Sequence, residues 1–281
     1  MKSIVELIQK RMSCRTYEGK AIEEEKVEQL SNFFSRNTRG PFGSILRFKL
    51  LDLSELERKE IKTLGTYGVI KGARLFIVGT VTRGYKAMED YGYCMEKNIL
   101  VATDLDLGTC WLGGTFNRSG FAGRMNVAEN ELLPAVSPVG YVKDKRSRTD
   151  NLFRFIAASN KRKPWSELFY DGSFKIPLAE ERAEKYAVPL ESVRLGPSAS
   201  NRQPWRICRE QDKNVFHFYL ERTKGYNKLF GNIQLQNIDM GIAMCHFELS
   251  AKEIGLEGNW KEDKPDIRSG QMEYIVSWVH L

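Results

Sequence analysis

The residue types that most often catalyse reactions by themselves are few and widely spaced in this chain. The three histidines, His217, His246 and His280, are dispersed over the second half of the 281 residues. The cysteines are also dispersed, and none of them forms a closely spaced metal-ligand pair: Cys14, Cys94, Cys110, Cys208 and Cys245. This distribution argues against a zinc site or a Ser-His-Asp triad, and reduced thiols fit it best. We therefore expect any chemistry to depend on something other than side chains.

The most distinctive local sequence is GPSASNRQPWR, residues 196–206. Its small, polar and proline residues form a combination too particular for an ordinary surface loop. Ser198 or Ser200 could be the N-cap of a helical turn. Pro204 predicts an extended conformation for Gln203, and Trp205 is expected in the core.

Composition predicts a soluble globular protein. Hydrophobic residues make up 42% and charged residues 28% of the chain, as in ordinary folded domains. No apolar run reaches the roughly 18–20 residues that span a bilayer. The N-terminal sequence MKSIVELIQKRMSC is interrupted by charged residues, unlike a signal peptide. We therefore predict a cytoplasmic protein without a membrane segment.

The formal net charge is +7. Basic residues are interspersed with acidic ones and form no tail or long stripe, so nucleic-acid binding is not favoured. A small phosphate-bearing ligand would suit the same charge.

Hydrophobic periodicity places helices and strands around these segments. Helices are predicted over residues 3–11 and 22–34, and a buried helix over 91–107 is expected to end at Gly108. Strands are predicted at 45–53, 73–81 and 135–142.

The second half repeats this order. A helix over 178–195, strands at 205–210 and 215–221 and a helix over 232–254 are predicted. The long helix of each half ends in a similar sequence, DLDLGTCW in the first and AKEIGLEGNW in the second. The common order indicates an internal duplication.

Four segments together resemble the FMN-dependent nitroreductase family. GPSASNRQPWR closely resembles the family's Pro-Ser-Ala-x-Asn-x-Gln-Pro-Trp segment, and three other motifs occur in the family's usual order: RMSCRTY (11–17), DLGTCWLGG (106–114) and PVGYVKDKRSR (138–148). The chain looks most like the subfamily with two fused nitroreductase-like halves. The resemblance implies an α+β fold of two α/β halves, residues 1–160 and 161–281, with mixed, mainly antiparallel sheets packed as an intramolecular pseudo-dimer.

The motifs are divided between the halves. A typical nitroreductase homodimer builds two FMN sites, each using the Pro-Ser-Ala segment of the other subunit. Here the first half has only NTRGPFGS (37–44) at that position, and the second half lacks both the Arg-x-Ser-x-Arg motif and the basic turn. The resemblance therefore implies a single FMN per chain, bound between the halves.

The resemblance also assigns roles to individual residues. Arg11 and Ser13 are expected at the FMN phosphate or ribityl chain, and Arg15 at the N1/O2 edge of the ring, where a cation stabilises the reduced flavin. An N–H of Gly113 or Gly114 is expected to face N5. The full set of expected cofactor-binding residues is Arg11, Ser13, Arg15, Gly68, Lys71, Leu112, Gly113, Gly114, Arg146, Arg148, Pro197, Ser198, Ala199, Ser200 and Asn201. Cys14 and Cys110 are predicted to be packed side chains instead of redox thiols.

The implied activity is an FMN-dependent NAD(P)H oxidoreductase. Hydride would pass from NADH or NADPH to flavin N5, and a nitroaromatic, quinone or similar acceptor would then take the electrons in a ping-pong sequence. Alternatives are a non-catalytic flavin- or ligand-binding protein and a relative that uses FMN with oxygen or a halogenated aromatic. No metal, nucleic acid or membrane partner is expected, and a fused pseudo-dimer predicts a monomer.

Overall fold

The computed structural model describes residues 2–56, 64, 69–143, 161–226 and 231–281. The chain divides into two compact units. Unit 1 contains Met1–Lys2 and Lys10–Arg148, and unit 2 contains Ser3–Gln9 and Thr149–Leu281. Within the described residues, no helix is both long and apolar enough to cross a membrane.

Unit 1 is built around one antiparallel sheet and a long buried helix. Its helices are α2 (Glu24–Arg36), α3 (Ala87–Asp104) and α4 (Arg118–Met125). Its strands are β1 (Leu46–Asp52), β2 (Leu75–Thr82), β3 (Gly108–Thr109), β4 (Glu131–Leu132) and β5 (Val136–Gly140). The order across the sheet is β1-β2-β5-β3, and β4 pairs with β2.

Unit 2 contains a mixed six-stranded sheet and a second long buried helix. Its helices are α1 (Ile4–Lys10, of which the last residue belongs to unit 1), α5 (Glu180–Ala183), α6 (Ala187–Arg194) and α7 (Leu235–Glu253). Its strands are β6 (Phe169–Asp171), β7 (Ser173–Pro177), β8 (Trp205–Arg209), β9 (Val215–Leu220), β10 (Gly258–Lys261) and β11 (Glu273–His280). The order is β10-β11-β9-β8-β6-β7, and only the β6–β8 pair within this described sheet is parallel. The predicted mixed, mainly antiparallel sheets are confirmed.

The start of α1 is fixed by the last residue of α7. The carboxylate of Glu253 accepts hydrogen bonds from the backbone N–H groups of Ile4, at 2.5 Å, and Val5, at 3.1 Å. These N–H groups have no partner within their own helix, and a negative charge there also complements the helix dipole. The contact joins α1 to the end of α7 within unit 2.

The two long helices end in the same way. Asp106 after α3 and Gly255 after α7 both have positive φ, 60° and 76°. The next residue then donates back to the helix, Leu107 to the Ala102 carbonyl and Leu256 to the Ala251 carbonyl, each at 2.9 Å. This is the Schellman arrangement that closes helix ends.

Gly108 therefore does not end α3 as predicted. The helix ends at Asp104, Asp106 takes the left-handed conformation, and Gly108 begins β3. A Cβ on Gly108 would overlap the side chain of Val142. The glycine is thus needed for close packing in the sheet, and not for the helix cap.

The helix predicted over 178–195 is interrupted. Glu184 has φ 52° and ψ −128°, a conformation that no helix accommodates, and it separates α5 from a short 3-10 turn and α6. The apolar periodicity correctly predicted helix on both sides of Glu184, in α5 and in α6, but it does not indicate the break between them.

Candidate functional site

In unit 1, the segment that contains the Arg-x-Ser-x-Arg motif is held by backbone pairing to two other predicted site segments. Ser13 forms a parallel bridge with Thr109, close to the Gly-Gly motif. Arg15 accepts a 2.8 Å hydrogen bond from the backbone N–H of Lys71, whose carbonyl accepts from Tyr17 at 2.8 Å. Three stretches that are far apart in sequence, around residues 13, 71 and 109, therefore meet here.

The same segment also pairs with the end of β5. Glu18 donates to the carbonyl of Tyr141 at 3.0 Å, and Lys143 donates to the carbonyl of Thr16 at 3.1 Å. The predicted phosphate-binding pair, Arg146 and Arg148, follows in sequence but lies outside the described residues, as does Gly68.

Arg11 carries a buried guanidinium. The residue is 8% exposed, and the described residues offer no hydrogen-bond partner to its Nε and Nη1 atoms. The carboxylate of Glu96, on α3, lies 3.8 Å from Nε and accepts a 2.7 Å hydrogen bond from the indole of Trp111. A buried charge with unused donors is costly unless an acceptor is bound there. This position can therefore hold an anionic or oxygen-rich ligand.

The Leu112–Gly114 stretch is placed by the sheet and by Arg118. Leu112 is buried in the core and exchanges backbone hydrogen bonds with Val136, at 2.9 and 3.0 Å. The guanidinium of Arg118 donates to the carbonyl of Gly113 at 2.8 Å. The side chain of Leu112 is therefore part of the core, and its backbone is the part that remains for a ligand. Gly114, by contrast, is exposed.

Cys14 and Cys110 are packed in the core, as predicted. Both are buried thiols that form no disulfide among the described residues, and they lie in a cluster with Tyr17 and Leu112. The hydroxyl of Tyr17 donates to the carbonyl of Cys14 at 2.7 Å. Burial raises the pKa of the Cys110 thiol, so it is a poor nucleophile at neutral pH.

Residues 197–203 of unit 2, hereafter the Pro-Ser-Ala loop, have an unusual backbone. Three residues that are not glycine have positive φ: Ser200 (50°), Asn201 (53°) and Gln203 (49°). Each such residue costs on the order of 1–3 kcal/mol and must be held by its surroundings. Strain of this kind concentrates at functional sites.

The extended conformation predicted for Gln203 is wrong. Its N–H donates to the hydroxyl of Ser198 and its side-chain carbonyl accepts from the N–H of Lys163, both at 2.8 Å. These two hydrogen bonds outweigh the preference that Pro204 imposes on the preceding residue. Ser198 does occupy the N-cap position of a 3-10 turn, Ala199–Asn201, but its hydroxyl makes no capping bond to that turn. Trp205 is fully buried, as predicted.

Polar side chains of the loop are also engaged. The Asn201 amide donates to the carbonyl of Lys161 at 2.8 Å, and the hydroxyls of Ser200 and Tyr226 lie 2.9 Å apart. From α7, Asp239 accepts a 2.9 Å hydrogen bond from the N–H of Ala199. The loop is thus a fixed surface that presents small residues.

Sequence reasoning missed two buried acids beside these segments, Glu96 and Asp239. Glu96 gave no signal, because its relation to Arg11 exists only after folding. Asp239 could have been found, since α3 and α7 share an Asp-x-Gly pattern, Asp90-x-Gly92 and Asp239-x-Gly241.

Two of the three histidines are buried and hydrogen-bonded within unit 2. His217 is buried with Nδ1 2.7 Å from the hydroxyl of Ser277, and His246 is buried with Nδ1 2.9 Å from the carbonyl of Ser192. Among the described residues, no group of three or more His, Cys, Asp or Glu side chains could hold a metal ion.

Comparison with known proteins identifies the family. The family model described as "Putative TM nitroreductase" matches residues 3–251. A crystal structure of a protein with a similar description from Thermotoga maritima is 19% identical, covers 99% of this chain and 93% of its own, and has a TM-score of 0.62. A nitroreductase family protein from Clostridium novyi NT is 21% identical over 52% of this chain and 89% of its own, with a TM-score of 0.43. An FMN-dependent nitroreductase from Clostridium difficile R20291 is 20% identical over 52% of this chain and 91% of its own, with a TM-score of 0.39.

None of the curated proteins searched matches the chain. The family model nevertheless spans most of the sequence, and the solved structure that matches nearly the whole chain shares its fold. The chain belongs to this nitroreductase family and has the nitroreductase fold.

Proposed function

We propose that the protein is an FMN-dependent oxidoreductase that binds one FMN per chain. The observation that carries the proposal is the buried guanidinium of Arg11, whose Nε and Nη1 find no acceptor among the described residues. Glu96, at 3.8 Å, balances the charge but is too distant to satisfy these donors. The phosphate and ribityl oxygens of FMN are acceptors of the right kind.

The other contacts in the proposal follow the family resemblance. Ser13 would join Arg11 at the phosphate or ribityl end, and Lys71 would lie at the pyrimidine edge together with Gly68. Arg146 and Arg148 would bind the phosphate. Leu112, Gly113 and Gly114 and the Pro-Ser-Ala loop, through Pro197, Ser198, Ala199, Ser200 and Asn201, would complete the site. Each of the four family motifs occurs once in the chain, which supports one FMN site and not two.

Bound FMN would supply the redox chemistry, taking hydride from NADH or NADPH and passing electrons to a nitroaromatic, quinone or similar acceptor. The chain would contribute position and charge. Arg15 would place a cation at the N1/O2 edge, where reduction adds negative charge. A backbone N–H of Gly113 or Gly114 would orient N5. No acid or base side chain is required by this assignment.

The first experiment measures FMN released from protein purified without added cofactor. We expect close to one FMN per chain, and none after soaking in FMN would overturn the proposal. Two per chain would show that the 37–44 segment also supports a site. Anaerobic addition of NADH or NADPH should bleach the bound flavin rapidly, whereas slow or absent bleaching favours a non-catalytic flavin-binding protein.

Arg11 is tested with a matched control. Arg11→Gln should lower FMN occupancy by about tenfold, because a charge-assisted hydrogen bond contributes roughly 1.5–3 kcal/mol. Arg209→Gln removes an equally buried guanidinium whose Nε already donates to the Lys213 carbonyl at 2.9 Å. That control should lower stability and leave FMN occupancy of the folded protein unchanged.

A further inference from the structure

We propose that Asp239 is a positioning residue for the Pro-Ser-Ala loop: its carboxyl group fixes the backbone of Ala199 and thereby sets the loop's affinity for FMN. This inference rests on the proposed function, because only that function gives the loop a ligand.

The loop needs an external anchor. Its positive φ angles fall at Ser200, Asn201 and Gln203, and residues 197–203 include no glycine to take up the strain. Within the loop, Ser198 accepts from Asn201 at 2.9 Å and from Gln203 at 2.8 Å. These bonds close the turn internally. The side chains of Ser200, Asn201 and Gln203 also bond outside the loop, to Tyr226 and to the 161–163 segment.

Asp239 attaches the backbone of the loop to α7. Its Oδ1 accepts the Ala199 N–H at 2.9 Å, immediately before the first residue of positive φ. Since α7 is buried along nearly its whole length, the carboxyl group is carried by a helix that is packed on all sides. Because the aspartate side chain is short and its helix is packed in the core, the position of the Ala199 N–H is closely restricted.

The position of Asp239 is costly for stability. The residue is 2% exposed, and its Oδ2 has no hydrogen-bond partner in the described part of the chain. A buried polar group that is only half satisfied destabilises a fold relative to an apolar residue. Positioning the loop is a role that explains its presence.

Unit 1 contains a counterpart. Asp90 of α3 accepts the N–H groups of Phe42 at 2.8 Å and Ser44 at 2.9 Å, so both of its oxygens are used. Each aspartate thus holds a Gly-Pro loop, Gly40-Pro41 in unit 1 and Gly196-Pro197 in unit 2. In the unit 1 loop, the described positive φ falls on Gly43.

Comparing Asp90 with Asp239 distinguishes an aspartate that only stabilises a loop from one that also positions a binding loop. The loop held by Asp90 poorly matches the nitroreductase segment and carries no strained residue other than glycine. The loop held by Asp239 carries the family motif. Loss of either anchor should free the loop backbone that it holds, and only loss of Asp239 should change cofactor affinity.

The test compares Asp239→Ala, Asp239→Asn and Asp90→Ala by the dissociation constant of FMN, measured from the quenching of its fluorescence. Asp239→Ala should weaken binding by about tenfold, the effect of one lost hydrogen bond. Asp239→Asn keeps an oxygen that can accept from Ala199, so it should restore the affinity. Asp90→Ala should remain within about twofold of the parent, because Asp90 holds the 40–44 loop, which matches the family's segment poorly.

A second readout needs no cofactor. Amide hydrogen exchange at Ala199 should be faster in Asp239→Ala than in the parent, while exchange in the middle of α7 is unchanged. If Asp239→Ala does not fold, Asp239→Ser replaces it, because the serine hydroxyl is too short to reach Ala199. We expect the same weaker FMN binding and the same faster exchange at Ala199.

The outcomes separate the two ideas. A parent protein that binds no FMN overturns the proposed function. A parent that binds FMN, with Asp239→Ala binding equally well and Ala199 exchanging at the same rate, overturns the role of Asp239 alone. Equal weakening of FMN binding by Asp239→Ala and Asp90→Ala would also contradict the role of Asp239. Both effects would then be explained by a general loss of stability.

Discussion

At the scale of single residues, the Arg11–Glu96 pair couples stability to the candidate site. Glu96 is 0% exposed, so Arg11→Met would leave a buried carboxylate without the positive charge of Arg11. We expect this change to cost about 3–5 kcal/mol of unfolding free energy. Adding Glu96→Gln should recover part of that loss. Urea unfolding without FMN measures the parent, the two single variants and the double variant. Strictly additive effects would mean that the two charges do not interact.

Asp239 gives a prediction about pH. Burial raises the pKa of Asp239 from its ordinary 3.8 to about 8, against the lowering effect of the Ala199 hydrogen bond. The folded protein therefore holds a proton that the unfolded chain has released between these pH values. Stability is lost as pH rises through this window, by up to about 1.4 kcal/mol per pH unit.

The comparison with Asp239→Asn isolates this titration from the others. Asparagine does not titrate, so the unfolding free energy of the parent minus that of Asp239→Asn should fall between about pH 5 and pH 8. Urea unfolding at several pH values measures the difference. A difference that stays constant would show that Asp239 titrates normally.

At the scale of elements, the strand after each long helix depends on a glycine. A Cβ on Gly258, the first residue of β10, would overlap the indole of Trp278, which is fully buried on β11. We expect Gly258→Ala to destabilise the protein by about 1–3 kcal/mol, because the ring has no space to move.

A glycine in open space provides the control. Gly123 lies inside α4 and is exposed, and no atom lies within 4 Å of the position that a Cβ would occupy there. Gly123→Ala should stabilise the protein by about 0.5–1 kcal/mol through helix propensity. Thermal unfolding of the two variants should therefore shift in opposite directions, and shifts of the same sign would contradict the packing argument at Gly258.

At the scale of the whole molecule, we predict a monomer with one FMN. In the proposed arrangement one chain carries both nitroreductase-like halves, so no second copy would be needed to assemble the motifs. Light scattering should give a mass near 32.3 kDa. A mass twice as large would show that the chain dimerises as well and would contradict this prediction.

The parallel features of the two units support the proposed duplication. Both long helices carry an Asp-x-Gly pattern, end with a left-handed residue and a leucine that donates back to the helix, and lead to a strand. In both, the following tryptophan donates to a buried glutamate of the same helix, Trp111 to Glu96 at 2.7 Å and Trp260 to Glu248 at 2.6 Å.

The sequence by itself determined the family, the fold class and the elements with clear periodicity. α2, β1, β2, β5, α7, β8 and β9 lie within a few residues of their predicted bounds, since hydrophobic periodicity is a local property. Strands of two to five residues, such as β3, β6 and β10, are too short to show a period. β11 is buried on both faces over its central residues and so does not alternate.

Only the tertiary structure decided which polar groups are buried together. Arg11 meets Glu96 across 85 residues, and Ala199 meets Asp239 across 40. The left-handed Gln203 likewise depends on Ser198 and Lys163 and overrides its local preference. The partner of a buried donor or acceptor is chosen by the packing of distant segments, and no local pattern records that choice.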